Sequence, residues 1–225
     1  MPDYAVFILR FMLFAAIHSV LAMPATRRRL TELVGWLAPV YRLVYNALSL
    51  LLLIWVMGAF RHSPVLYYAP GLWSLAMYLV QLLLLALLLL CLKQTGASDF
   101  LGIEQLKGRQ EQHDLVTNGF YRLVRHPLYL LSLLFFLFNP VMTVQWLLLT
   151  GMSTLYFFVG ALLEEKRLEE TYGEAYRRYR ERVPFIMPAL PLNRRVQQGD
   201  KRFEGIYRDM RDHGGRSDNA GGPNS

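Results

Sequence analysis

Residues 72–92 read LWSLAMYLVQLLLLALLLLCL, and every side chain from residue 82 to residue 92 is apolar. A helix needs roughly 20 mostly apolar residues to cross the hydrocarbon core of a bilayer. Four further apolar blocks lie at residues 4–23, 41–60, 128–138 and 141–163. The chain of 225 residues is 54% hydrophobic and only 18% charged, so we predict an all-α fold, an integral membrane helical bundle of about five transmembrane helices.

The fourth block is short for a membrane span. A helix over residues 128–138 would be about 17 Å long, against roughly 30 Å of hydrocarbon. Asn139 and Pro140 separate it from the fifth block. Proline is well tolerated in the first turn of a helix, so we expect Pro140 to open the fifth span. The sequence leaves open whether residues 128–138 cross the bilayer fully.

The first block is predicted to be a retained span rather than a secretory signal. It is preceded by Asp3 and followed by three arginines at residues 27–29. Basic residues near span ends stay on the cytoplasmic side, and here they are concentrated after the first, third and fifth spans. We therefore expect an inner-membrane protein with its N-terminus outside and with both the loop 93–126 and the C-terminus in the cytoplasm.

The formal net charge of +7 follows from these cytoplasmic basic residues, which also attract anionic lipid head groups. No nucleic-acid recognition module is visible, so membrane lipid rather than nucleic acid is the expected partner. The single cysteine, Cys91, lies in an apolar run, which excludes disulfide scaffolds and cysteine-rich metal sites. No metal site is predicted, and the oligomeric state stays open.

The chain is expected to consist of a transmembrane domain and a polar tail. Residues 1–192 are predicted to form the transmembrane domain. Residues 193–225 are rich in Arg, Asp, Gln, Gly, Ser and Asn. Such a tail buries too little apolar surface to offset its ordering entropy, so it is predicted to be disordered in the cytoplasm.

A first polar segment, residues 121–129 with the sequence YRLVRHPLY, lies where the fourth span is expected to begin. Pro127 suits the first turn of a helix, and a helix N-terminus with Arg125, His126 and Tyr129 beside it can hold a carboxylate or phosphate. The alternative is that the basic residues only anchor a helix end among the lipid head groups.

A second polar segment follows the fifth span. Leu168, Tyr172, Tyr176 and Tyr179 recur at spacings of three and four, so the helix is expected to continue from residue 163 into the cytoplasm. Adjacent acidic residues, Glu164 and Glu165, lie at the start of this stretch. They can hold a cation beside the tyrosines, or they can belong to an ordinary solvated helix with weak ion pairs.

The two segments together point to a more specific ligand than either segment alone. The first segment offers a site for an anion, and the second offers carboxylates and aromatic rings for a cation. On one membrane face, the two can bind a zwitterion that also carries a sulfonium. That describes S-adenosylmethionine, with its carboxylate at Arg125 and His126 and its cationic groups near Glu164 and Glu165. Its adenine would lie against the tyrosines.

The residues that carry a family resemblance are LVTNGFYRLVRHPLY at 115–129, then Glu164-Glu165, Leu168, Tyr172-Gly173, Tyr176, Tyr179 and Val183-Pro184. This pattern resembles the isoprenylcysteine carboxyl methyltransferase family of membrane enzymes. Phospholipid N-methyltransferases and membrane-bound methanethiol S-methyltransferases share it. The resemblance covers residues 115–188, about a third of the chain.

The resemblance implies a membrane methyltransferase that uses S-adenosylmethionine at the cytoplasmic face. The cofactor-binding residues that it implies are Arg125, His126, Tyr129, Glu164, Glu165, Tyr172, Tyr176 and Tyr179. His126 and Glu165 are the catalytic candidates. Leu130 follows Tyr129 where the family often has glycine, and Gly160-Ala161 stand where some members carry an arginine. These departures leave the methyl acceptor open.

The acceptor is expected to be a small or lipophilic molecule. Methyl transfer requires alignment of the nucleophile with the methyl group and exclusion of water. An isoprenylcysteine-type carboxylate or a thiolate needs no strong base. A lipid amine must arrive neutral, and a thiol must lose its proton, for which His126 or a glutamate is the nearest candidate.

Two other functions are alternatives. His18 lies within the first span, where an ionisable residue is a functional candidate, and His62 follows the second. Relatives of this architecture include proteins thought to bind haem through histidine, so a haem-binding membrane isomerase or a nitrogen-oxide-related protein is one alternative. A non-enzymatic membrane assembly protein is the other.

Overall fold

The computed structural model describes residues 3–60, 62–96 and 115–188 of the chain. In chain order the elements are α1 Asp3–Ala22, α2 Pro24–Leu33, a 3₁₀ turn Gly35–Val40, α3 Tyr41–Met57, β1 Val65–Tyr68, α4 Leu72–Gln94, a 3₁₀ turn Gly119–Arg122, α5 Pro127–Leu137, β2 Val141–Thr143, α6 Val144–Tyr172 and α7 Glu174–Arg182. The predicted tail and residues 97–114 of the predicted loop lie outside the described residues.

The helices present apolar side chains to their surroundings. α1, α4 and α6 are long and apolar enough to cross a membrane, while α3 and α5 are shorter apolar helices. Leu72, Trp73 and Leu155 are exposed by 83%, 74% and 67%. Apolar surface on this scale is unfavourable in water and favourable in lipid. The structure therefore supports the predicted helical membrane bundle, and the number of five crossings stays a prediction.

Two apolar clusters hold the helices together. One joins α1, α3 and α6 through Phe7, Phe11, Val56, Ala59 and Leu149, and the other joins α4 and α5 through Leu84, Cys91 and Leu131. Polar groups among them are paired, because the Gln81 amide donates to the Phe135 carbonyl at 3.0 Å and the Trp146 indole to the Phe136 carbonyl at 2.9 Å. Such pairing is what a bilayer requires, since lipid tails offer no hydrogen bonds.

A short sheet, absent from the all-α prediction, joins two of the connections. β1 and β2 are antiparallel, with Val65 opposite Thr143. Pro140 lies just before β2, and its carbonyl accepts the Ala69 N–H at 2.8 Å. α6 begins only at Val144, and the Thr143 hydroxyl before it accepts the backbone N–H of Trp146 at 3.2 Å. The expectation that Pro140 opens the fifth span is therefore wrong, because the β-branched residues after it pair as a strand.

The helix after the membrane is not continuous, contrary to expectation. α6 ends at Tyr172 and α7 starts at Glu174, and between them Gly173 has φ 53° and ψ −122°. A side chain is strained in this conformation, so glycine is the residue that permits the chain to turn. The spacing of the tyrosines could not reveal the turn, because both helices keep the same local periodicity.

We expect Gly173→Ala to destabilise the protein by about 1–3 kcal/mol, because alanine must adopt the positive φ of the turn. Thermal unfolding of the detergent-purified protein measures the effect. Gly151→Ala is the matched control, since a Cβ at Gly151 meets nothing within 4 Å and its backbone is helical. The control should unfold at or above the wild-type temperature. An equal loss in both variants would contradict the assigned role of the turn.

Candidate functional site

The two polar segments meet through backbone hydrogen bonds. The N–H of Arg125 donates to the Pro184 carbonyl at 2.9 Å, and the N–H of His126 donates to the Phe185 carbonyl at 3.2 Å. The Tyr179 hydroxyl donates to the Tyr121 carbonyl at 2.7 Å. The start of α5 is thereby attached to α7 and to the residues that follow it, so the segments form one site.

The approach to the first segment depends on a turn at Gly119. Its φ is 56°, and a Cβ there would collide with the side chain of Gln94 at the end of α4. The Gln94 amide donates to the Asn118 carbonyl at 2.7 Å, and its oxygen accepts the Phe120 N–H at 3.2 Å. The end of α4 therefore holds the chain that leads to α5.

A buried ion pair lies at the centre of the site. Nε of Arg125 is 2.9 Å from Oε1 of Glu165, and the two side chains are only 11% and 12% exposed. Nε2 of His126 lies 3.3 Å from the same oxygen, and its side chain is 4% exposed. Arg125 also donates to the Arg180 carbonyl at 3.0 Å. The charge of Glu165 is thus met within the protein, whereas the sequence suggested that this residue faces a ligand.

Glu164 has a different environment from its neighbour. Its side chain is 48% exposed, and Oε2 lies 3.7 Å from Nδ1 of His126. The Tyr129 hydroxyl donates to the same oxygen at 3.1 Å. The Tyr129 ring stacks between His126 and Phe157, with centroid distances of 5.5 and 5.1 Å. Glu164 therefore presents its carboxylate at the surface of the site, where the Tyr129 phenol holds it in place.

The tyrosines of α7 are buried beside this pair. Tyr176 is 0% exposed, and its hydroxyl has no hydrogen-bond partner among the described residues. Burial, with the nearby negative charge of Glu165, raises the pKa of Tyr176. Burial also raises the pKa of Tyr179 to about 12, against the opposing effect of Arg125. Both phenols therefore stay protonated at neutral pH and can act as hydrogen-bond donors.

A cavity of about 570 Å³ opens beside these residues. Its charged and polar lining consists of Arg27, Tyr41, Arg42, Tyr45, Asn46, Thr95, Tyr121, Arg125, His126, Tyr129, Glu164, Tyr172, Tyr176 and Tyr179. Glu165 lies outside this lining. The lining combines the carboxyl ends of α1, α4 and α6 with the amino ends of α3 and α5, so these five ends meet at one end of the bundle.

Sequence reasoning missed the part of the lining that comes from the N-terminal half. Arg27 and the other basic residues near span ends were assigned to membrane topology alone, and Tyr45 was not considered. Of the three consecutive arginines, Arg27 lines the cavity and is half-buried, while the other two are exposed. No motif distinguishes them in the sequence. The packing of α2 and α3 against the rest of the bundle is needed to show that Arg27, Arg42 and Tyr45 line the cavity.

The cavity is suited to a ligand with both charges and a flat aromatic group. Arginines from α2 and α3 provide positive charge, Glu164 provides negative charge, and phenols provide donors and ring faces. The volume lies within the range of roughly 300–1,000 Å³ that is usual for sites of drug-sized molecules.

Comparison with known proteins identifies relatives of the whole bundle. The family model described as NnrU protein matches residues 6–191. Methanethiol S-methyltransferase 1 of Bradyrhizobium diazoefficiens is 32% identical over 186 residues, which are 78% of this chain and 64% of that protein. Methanethiol S-methyltransferase of Crocosphaera subtropica is 30% identical over 193 residues, which are 79% of this chain and 72% of that protein.

A shorter match joins the chain to a second group of enzymes. The protein-S-isoprenylcysteine O-methyltransferase of Schizosaccharomyces pombe is 33% identical over 86 residues, which are 37% of this chain and 36% of that protein. No solved structure matches the chain significantly. The predicted resemblance is therefore confirmed by relatives that carry both kinds of name.

We expect Glu165→Gln to destabilise the protein by about 3–5 kcal/mol, because Arg125 is left buried without its counter-charge. Chemical unfolding in detergent measures the loss. Glu174→Gln is the control, since it breaks an ion pair with Arg178 in which both side chains are more than half exposed. The control should lose no more than about 0.5 kcal/mol. A loss of the same size in both variants would contradict a buried pair at Glu165.

Proposed function

The chain belongs to the membrane family that includes NnrU proteins, methanethiol S-methyltransferases and protein-S-isoprenylcysteine O-methyltransferases, and on that premise we propose that it is an S-adenosylmethionine-dependent methyltransferase. The observation that carries the proposal is the cavity between the two motifs, with Glu164 as an exposed carboxylate beside buried phenols. The names of the relatives support the same activity.

The residues of the cavity fit S-adenosylmethionine in size and charge. Glu164 is the carboxylate assigned to the sulfonium or the ammonium group, since Glu165 already pairs with Arg125. The carboxylate is assigned to the positive lining to which Arg27, Arg42 and Arg125 contribute. The hydroxyl of Tyr176 is buried and has no hydrogen-bond partner within residues 3–60, 62–96 and 115–188, so it supplies a donor that a ligand can use.

The cofactor supplies an electrophilic methyl group, and the side chains of the site orient the reactants and exclude water. Tyr129 and His126 hold Glu164 at the cavity surface. Glu165 lies behind the lining and contacts Arg125 and His126, which it holds in place. Glu165 is therefore a positioning residue. Tyr172, Tyr176 and Tyr179 close the side formed by α6 and α7.

We assign the cavity to the cytoplasmic face of the inner membrane. It lies at the end of the bundle where Arg27, Arg42, Arg122 and Arg125 gather, and basic residues at span ends stay in the cytoplasm. The acceptor is a small or lipidated molecule, in keeping with the names of the relatives, and it reaches the cavity from the membrane or the cytoplasm.

Calorimetric titration with S-adenosylmethionine tests the cofactor assignment. We expect Glu164→Gln to weaken binding by about tenfold or more, because a charge-assisted contact contributes roughly 1.5–3 kcal/mol. Glu170→Gln is the matched control, since it changes an exposed glutamate of the same helix outside the cavity lining and should bind like the wild type.

A wild-type protein that binds no S-adenosylmethionine would overturn the proposed function. If it does bind, labelled S-adenosylmethionine added to membranes that contain the protein identifies the acceptor. The label would enter lipid, protein or a volatile sulfide, and each destination corresponds to one acceptor class.

The match to the NnrU family model keeps the haem-binding alternative as a second candidate. A haem ligand needs a free imidazole nitrogen, but both ring nitrogens of His18 already have hydrogen-bond partners in Ser49 and Tyr45. His18 is therefore disfavoured as a haem ligand, and the names of the relatives favour the methyltransferase.

An absorption spectrum distinguishes the two candidates. We expect no Soret band in the detergent-purified protein after reconstitution with haem. A band that disappears in His18→Asn would instead support the second candidate.

A further inference from the structure

A polar cluster lies beneath the cavity, where α1 packs against α3. His18 belongs to α1, and Tyr45 and Ser49 belong to α3. The Tyr45 hydroxyl is 2.8 Å from Nε2 of His18 and 3.3 Å from Nδ1, and the Ser49 hydroxyl oxygen is 2.9 Å from Nδ1. Tyr45 lines the cavity, whereas His18 lies behind it. The methyltransferase site described above assigns no role to His18 or Ser49.

The hydrogen bonds determine which atom carries each proton. The Ser49 hydroxyl has one proton, which it donates to the Tyr45 backbone carbonyl at 2.7 Å. Ser49 must therefore accept a hydrogen bond from His18, so Nδ1 carries the imidazole proton. In a neutral imidazole the other nitrogen is then an acceptor, and Nε2 accepts the Tyr45 hydroxyl proton.

The phenol of Tyr45 is left able to accept. Since its proton points to His18, the remaining lone pairs of the oxygen are available on the side of the cavity. A group in the cavity can donate its proton to this oxygen. The Tyr45 hydroxyl can then pass its own proton to Nε2 of His18. Such an arrangement is a preformed proton relay leading out of the cavity.

Other titratable groups surround the relay. The His18 ring lies 6.2 Å from the ring of Tyr156 on α6, whose hydroxyl pairs with Ser19 at 3.0 Å. Tyr41 on α3 and Tyr129 on α5 lie close enough to Tyr45 to interact with it electrostatically. The charged residues of the same cavity are Arg27, Arg42, Arg125 and Glu164, with His126 beside them. His18 is the imidazole that contacts Tyr45.

We propose that Tyr45, backed by His18, takes the proton of a thiol acceptor in the cavity. The inference rests on the proposed methyltransferase function. The S–H bond of the thiol breaks as its proton moves to the Tyr45 oxygen, and the Tyr45 proton moves to Nε2 of His18. The thiol sulfur forms the new bond to the methyl group, while the old bond to the sulfonium breaks and leaves its electron pair on that sulfur. After the product leaves, Nε2 of the imidazolium returns its proton to the Tyr45 oxygen, and the Tyr45 hydroxyl releases its proton to water in the open cavity.

The relay favours a thiol over a carboxylate as the methyl acceptor. A carboxylate acceptor is already ionised at neutral pH and gains nothing from a base. A thiol of pKa about 8.5 or higher is mostly protonated at neutral pH, so removal of its proton limits the reaction. General-base catalysis of this kind contributes about 10²–10⁴-fold. A site with this relay is suited to a thiol.

Two thiols of different acidity test the proposal in the full-length protein. Ethanethiol is a weak acid, and thiophenol is ionised at a much lower pH. With ethanethiol, Tyr45→Phe and His18→Asn should lose about 100-fold or more in kcat/KM at pH 7. Their remaining rate should rise about tenfold per pH unit, as the thiolate fraction grows. With thiophenol, His18→Asn should stay within about threefold of the wild type.

Binding of S-adenosylmethionine, measured by calorimetry, should be unchanged in His18→Asn, because the His18 side chain lies behind the cavity lining. This readout separates failure of the relay from failure of the proposed function, which would appear as absent binding in the wild type. Tyr156→Phe is the matched control, because it removes a phenol from the adjacent pair with Ser19 and should keep the wild-type pH profile. Equal losses with both thiols, losses that do not depend on pH, or wild-type rates with ethanethiol would each overturn the proposal.

Discussion

The contact between Arg125, His126 and Glu165 is the interaction on which the site depends. The three side chains come from the start of α5 and from α6, and each is at most 12% exposed. Charges at this depth persist only when they are paired and hydrogen-bonded. Because Glu165 is committed to this pairing, the adjacent Glu164 is the carboxylate that faces the cavity. One buried pair therefore gives two neighbouring glutamates different environments, one paired inside the protein and one at the cavity.

The membrane imposes a second constraint, which determines where irregular chain and polar residues can lie in the bundle. Backbone groups inside a bilayer must be paired within the protein, so the spanning segments are helices and irregular chain is confined to their ends. At one end the connections are joined by the short sheet of β1 and β2. At the other end five helix ends surround the cavity, and the polar residues that the lipid excludes gather there. Function is thus concentrated where the helices leave the lipid.

Much of the site was predictable because its residues occur in two compact motifs. Arg125, His126, Tyr129 and Glu164 line one cavity together with Tyr172, Tyr176 and Tyr179, and the pairing of the motifs was the basis of their prediction. The contributions of Arg27, Arg42 and Tyr45 were not predictable. These residues are more than 70 positions from the motifs, and their types are common at span ends for reasons unrelated to a ligand. The family resemblance did not include their part of the chain.

Hydropathy, charge and helical spacing are local properties of the chain, so the apolar blocks, the basic end of the bundle and the two motifs could be predicted from the residues alone. The break at Gly173, the sheet at Val141–Thr143 and the different environments of Glu164 and Glu165 became clear from the tertiary structure. It also decided which nitrogen of His18 accepts a proton. The physical reason is that pairing and burial depend on contacts between residues that are distant in the chain, and no local pattern records which partner a polar group will have.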